Sequence, residues 1–210
     1  MQLLRGWTVG SLVLLMIGGL VGTAAGQDEG TWPRHVSGYT YGQDDPEKQT
    51  IDVIVPEPGE TLHPALVWFH GGALQFGSTD EVVAQATDYA NKGYVGFLPG
   101  YRLYNSGSGA NPWPAQLDDA QRAVRWIRAH ADEFDLDPDR ICATGHSAGG
   151  YLAALLGTMD TRDDSDPELA GISSRVELAG LHAAGQVLGV QRACGRGRDD
   201  VRDDDAPHGV

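Results

Sequence analysis

Gly145-His146-Ser147-Ala148-Gly149 sets a serine between two glycines at the spacing G-x-S-x-G. An apolar segment, Arg140-Ile141-Cys142-Ala143-Thr144, precedes it, and a second apolar segment runs from Ala148 to Gly157. A serine hydroxyl is a weak nucleophile on an ordinary surface, and a sharp strand-to-helix turn lifts it clear of the sheet on a strained backbone. Gly145 and Gly149 serve that turn, because side chains there would collide with it. The chemistry implied is attack by the Ser147 hydroxyl on an acyl carbon. Such an attack builds an oxyanion, which needs N–H donors already aimed at it. His70-Gly71-Gly72-Ala73 is a second loop of small residues, placed after the apolar run Ala65–Phe69, so the N–H groups of Gly71, Gly72 and Ala148 are the candidate donors. His146 lies inside the elbow with its ring directed away from the serine hydroxyl, a poor position for a base. No metal or cofactor set stands out, and Cys142 reads as a small apolar thiol within a buried strand.

These residues need a frame. His35–Tyr41 and Thr50–Val55 read as strands that enter a sheet antiparallel, and Ala65–Phe69 as a strand buried on both faces. Thr79-Asp80-Glu81 caps a helix through Tyr89 and Ala90, with Asn91-Lys92-Gly93 ending it, and Tyr94–Leu98 is the next strand. Pro112-Trp113-Pro114 opens a helix whose Leu117, Ala120, Val124, Ile127 and Ala131 share one face, with Asp118 and Asp119 early and Arg122, Arg125 and Arg128 late. Asp137-Pro138-Asp139 reads as a turn before strand Arg140–Thr144. Strands alternating with helices across short loops predict an α/β fold, a mostly parallel central sheet with helices on both faces.

Residues 1–26 read as a secretory signal peptide: Arg5, an apolar run of about 15 residues, then Thr23, Ala24, Ala25 and Gly26. A spanning helix needs nearer 20 apolar residues, so no stable membrane anchor is expected and the mature protein is placed outside the cell or in the periplasm. Residues 27–34 read as a linker. A formal net charge of −14 repels phosphate backbones, which argues against nucleic acid as a partner.

The two loops together, with Tyr101-Arg102-Leu103, the stretch from Pro114-Ala115-Gln116 and the turn Asp137-Pro138-Asp139-Arg140-Ile141, resemble the bacterial esterase/lipase family related to hormone-sensitive lipase. The chain is also similar to secreted acetylxylan and feruloyl esterases. The resemblance covers roughly residues 35 to 176. It implies an α/β-hydrolase fold and a carboxylic-ester hydrolase acting through an acyl-enzyme on Ser147, without cofactor, on a small-molecule or carbohydrate-linked ester. It further implies that His70 supports the oxyanion loop. Ala73 stands where this family usually has a third glycine, and Leu74 where it usually has an aromatic residue. A serine exopeptidase of the prolyl oligopeptidase type has a similar elbow and is the competing enzyme. An inactive pseudo-hydrolase lacking the triad Asp and His is the competing non-enzyme.

The last segment reads differently. Five Trp, seven Tyr and four Phe all lie at or before Tyr151. The domain is therefore expected to span residues 35–176, with residues 177–210 a non-matching, disordered tail left by truncation or a shifted reading frame. Asp205 and His208 follow Ser147 in triad order but sit three residues apart in a polar terminus, where separate loops are needed.

Overall fold

The computed structural model describes residues 31–183, 186, 187 and 194. Arg34–Thr40 (β1) and Thr50–Val55 (β2) pair antiparallel, with Arg34 opposite Val55 and Thr40 opposite Thr50. The strand thus takes in Arg34, the last residue of the expected linker. His63–Phe69 (β3), Val95–Pro99 (β4), Leu136–Gly145 (β5), Glu177–Ala183 (β6) and Gln186–Val187 (β7) complete a seven-stranded sheet of order β1-β2-β4-β3-β5-β6-β7. Strands β4, β3, β5 and β6 run parallel, while β2 on one side and β7 on the other join antiparallel. Every residue of β3 and β4 is buried, as strands covered on both faces must be.

Three helices supply the cover. Val83–Ala90 (α1) follows a 3₁₀ turn over Thr79–Val82, so the expected capping segment forms a tighter turn ahead of the helix. Ala115–Ala129 (α2) starts directly after Pro114, and Ala148–Thr158 (α3) directly after Ser147. Because side chains alternate along a strand, Val67 and Phe69 pack with Leu117, Val124 and Ile127 of α2 and Leu152 and Leu156 of α3. Leu66 and Trp68 point the other way, onto Val82, Ala86 and Ala90. A sheet closed on both faces leaves the ends of its strands as the place for a site.

Three expectations are corrected here. Asp137-Pro138-Asp139 lies within β5, where Leu136 faces His63 and Ile141 faces Ala65, five positions along β5 against two along β3. The turn chemistry is real but forms a bulge, with the Asp139 N–H donating to Asp137 Oδ1 at 3.0 Å. The domain also continues past Val176. Glu177 pairs with Cys142 and Leu181 with Gly145, so β6 extends the parallel sheet through residues expected to be tail. The Arg- and Asp-rich text that breaks the pattern starts only later, and Leu178-Ala179-Gly180-Leu181 is apolar enough for a strand. Finally, Cys142 is not a free thiol: it forms a disulfide with Cys194, the two Cα atoms 5.8 Å apart.

Candidate active site

Strand β5 delivers Ser147 to the carboxyl end of the parallel strands, and the backbone there has the strain the motif requires. Ser147 sits at φ 52°, ψ −115°, a region that residues with a side chain avoid. Its side chain is exposed. The two glycines explain how so sharp a turn fits. A Cβ on Gly149 would lie 2.1 Å from the Phe69 carbonyl oxygen, and one on Gly145 would lie 2.4 Å from the carbonyl carbon of Gly149. Strand β3, the elbow and the first turn of α3 therefore touch backbone to backbone. Ala148 begins α3, so its N–H is among those left without a helical acceptor, at the positive end of the helix dipole.

The loop after β3 lies against this elbow. A Cβ on Gly71 would be 3.7 Å from Ser147 Cβ and 3.0 Å from His146 Nδ1, which places Gly71 beside the nucleophile and the His146 ring beside Gly71. Gly72, Ala73 and Leu74 follow at φ 103°, 51° and 62°. Three successive residues in the left-handed region give the reason glycine is usual at position 73, and Ala73 bears that conformation with a side chain. The loop is closed by the N–H groups of Gln75 and Phe76, which donate to the Gly72 carbonyl at 2.9 and 3.1 Å. The structure thus brings Ser147, Gly71, Gly72 and Ala148 to one end of the sheet.

His70 is buried beneath this loop, 2% exposed, and its ring stacks on Tyr101 at 4.3 Å with an 8° tilt. Burial lowers its pKa from the ordinary imidazole value, which favours the neutral ring. Its Nδ1 lies 2.7 Å from the Gly71 carbonyl, so Nδ1 carries the hydrogen. The Tyr101 hydroxyl donates to the His70 carbonyl at 3.0 Å, and burial pushes its own pKa far up, keeping it protonated. Sequence reading matched Tyr101 to a motif without giving it a task.

The next residue anchors this tyrosine. Arg102 donates from its backbone N–H at 2.8 Å and from its guanidinium at 2.7 Å to Asp119, which is 1% exposed and also accepts from Gln49 Nε2 at 2.7 Å. Asp119 is thus no simple helix-dipole acid; it locks β1–β2, the segment after β4 and α2 together. A cleft of about 270 Å³ beside it is lined by Arg102, Asp119, Arg122, Arg125 and Asp166. Its charges are matched to one another, with Arg122 paired to Asp166 and Arg125 to Asp164, so it holds the fold. Among the described residues no cluster suits a metal ion, and no helix is long and apolar enough to cross a membrane. The expected signal peptide, Asp205 and His208 lie outside the described residues.

A mostly parallel sheet with helices on both faces, a strained serine at a strand-to-helix elbow and a glycine loop laid against it define an α/β-hydrolase. The chain belongs to the BD-FAE family of such esterases, which it matches over residues 51–182. It is similar to carboxylesterase NlhH of Mycobacterium tuberculosis, 35% identical over 108 residues that make up 50% of this chain and 32% of that enzyme. Among solved structures it is similar to the Thermogutta terrifontis esterase Est2 with propionate bound, 28% identical with a TM-score of 0.57, over 68% of this chain and 51% of that one. The esterase 2 of the same species phosphorylated by paraoxon is 29% identical with a TM-score of 0.56, over 70% and 55% of the two chains. The chain spans about a third of the curated relative and about half of each of these structures.

Proposed function

We propose that the chain forms the nucleophile half of a serine carboxylic-ester hydrolase that acts after export, once residues 1–26 are removed. The observation that carries this reading is the Ser147 backbone at φ 52°, ψ −115°, held by two glycines with no room for a side chain. Ser147 Oγ attacks the ester carbonyl as its proton passes to a base, and the developing oxyanion accepts N–H donors from Gly71, Gly72 and Ala148. Collapse expels the alcohol and leaves an acyl-enzyme, which water then cleaves. No described residue is assigned as the base. The substrates proposed are small or carbohydrate-linked acyl esters. The bound propionate of the Thermogutta esterase supports a short acyl group.

A fluorophosphonate probe tests the reading, because only an activated hydroxyl reacts at useful rates. The probe is expected to label the purified chain at Ser147, and Ser147→Ala to abolish the label. In a form of the protein with a complete C-terminal half, hydrolysis of a short-chain nitrophenyl ester should fall on the order of 10⁶ in kcat with the same substitution, as for other triad serines. Labelling that survives Ser147→Ala would move the nucleophile elsewhere.

A further inference from the structure

The peptide bonds His70–Gly71 and Gly71–Gly72 are trans, since the cis bonds among the described residues are Trp32–Pro33 and Trp113–Pro114. In a trans peptide the C=O of one residue and the N–H of the next point in opposite directions. Whatever grips the His70 carbonyl therefore aims the Gly71 N–H, and whatever grips the Gly71 carbonyl aims the Gly72 N–H. The first grip is the Tyr101 hydroxyl, 3.0 Å from the His70 oxygen and 3.4 Å from the Gly71 oxygen. The second is His70 Nδ1, 2.7 Å from the Gly71 oxygen. Because Nδ1 spends its hydrogen on that carbonyl, it cannot accept from Tyr101 at 3.3 Å, which leaves the tyrosine hydroxyl directed at the carbonyls.

From this we infer that Tyr101 is a positioning residue. Acting from behind the loop with His70, it turns the Gly71 and Gly72 N–H groups toward the oxyanion that forms at Ser147. The inference rests on the esterase reading for its catalytic consequence, but the grip itself is a matter of the structure alone. Tyr101 is 1% exposed and stacked face to face on His70, so its ring is held by packing. The hydroxyl is the part left to set direction. The Arg102–Asp119 pair fixes the backbone of the adjacent residue, which carries the same constraint into the body of the fold.

Tyr101→Phe keeps the stacked ring and removes only the hydroxyl. Tyr94→Phe is the matching control, since Tyr94 is also buried but packs on the other face of the sheet, with Leu66, Trp68 and Cys142. Two readouts on the full chain decide the matter. With ¹⁵N-labelled glycine, Tyr101→Phe should move the Gly71 amide resonance and leave that of Gly109 in place, whereas Tyr94→Phe should leave Gly71 in place. In fluorophosphonate labelling of Ser147, Tyr101→Phe should lower kinact by roughly tenfold or more with half-saturation unchanged, since it weakens aim and not binding. Tyr94→Phe should not change kinact. A Gly71 resonance that stays put, or an unchanged kinact, overturns the inference, as does an equal fall in both variants. If the parent chain is not labelled at all, the esterase reading fails, and the glycine resonances alone then decide whether Tyr101 aims the loop.

Discussion

Ser147 occupies its strained backbone only because its neighbours leave it no alternative. A Cβ on Gly149 would lie 2.1 Å from the Phe69 oxygen, so even one methyl group would push α3 away from β3. Gly149→Ala is therefore expected to destabilise the chain by about 1–3 kcal/mol, the usual cost of overpacking, and to end labelling of Ser147 by a phosphonate. Urea unfolding followed by fluorescence measures the first effect, and a variant as stable as the parent would show that the contact is soft. This part of the site is legible in sequence because the constraint is local: two glycines, four residues apart, at a strand-to-helix junction. The strain at Ala73 is less legible. Only the departure from the usual third glycine marks it, and the φ of 51° explains the departure's cost.

Helix α2 shows what element-level reading catches and what it misses. The spacing of Leu117, Ala120, Val124 and Ile127 places its apolar face correctly, and all four are buried in the core against the sheet. The same pattern assigns Asp119 to the dipole at the helix start, on equal terms with Asp118. The structure separates them. Asp119 accepts from Gln49, 70 residues away, and from Arg102, 17 residues away, and no local pattern reports such partners. Asp119→Ala leaves the Arg102 guanidinium, buried but for 17%, without its carboxylate. Breaking a buried pair in this way is expected to cost about 3–5 kcal/mol, measured as a lower urea midpoint at unchanged slope. A loss under 1 kcal/mol would mean that Asp44, 3.3 Å from Arg102, takes over the charge. Strand β6 was missed for a related reason. A strand is judged from its own composition, but pairing with β5 at Cys142 and Gly145 is what gives residues 177–183 their place.

For the whole chain, the disulfide is a covalent long-range link, joining residues 52 apart, that pattern reading leaves out. Two cysteines with no recurring spacing signal no framework, and Cys194 stands in polar text, far from the strand that holds Cys142. Both ends of the bond are buried, with Cys142 packed beside Leu66, Trp68 and Tyr94 on the face of the sheet opposite α2 and α3. The bond closes a loop across a sequence separation of 52, which on chain-entropy grounds corresponds to about 4 kcal/mol of stabilisation. It also bears on where the protein matures. A buried structural disulfide forms and persists in an oxidising compartment, so the proposed export can be tested through the thiol state of the protein. Protein recovered from the extracytoplasmic fraction is therefore expected to begin near Gly26 or Gln27 and to contain no free thiol after unfolding without reductant. Cys142→Ala should lower Tm by roughly 10 °C, the shift that such a loss produces in a chain of this size. Reductant should lower the parent by a similar amount and leave the variant unchanged. Two free thiols in the unfolded exported protein, or a parent indifferent to reductant, would remove the bond from the account of its stability.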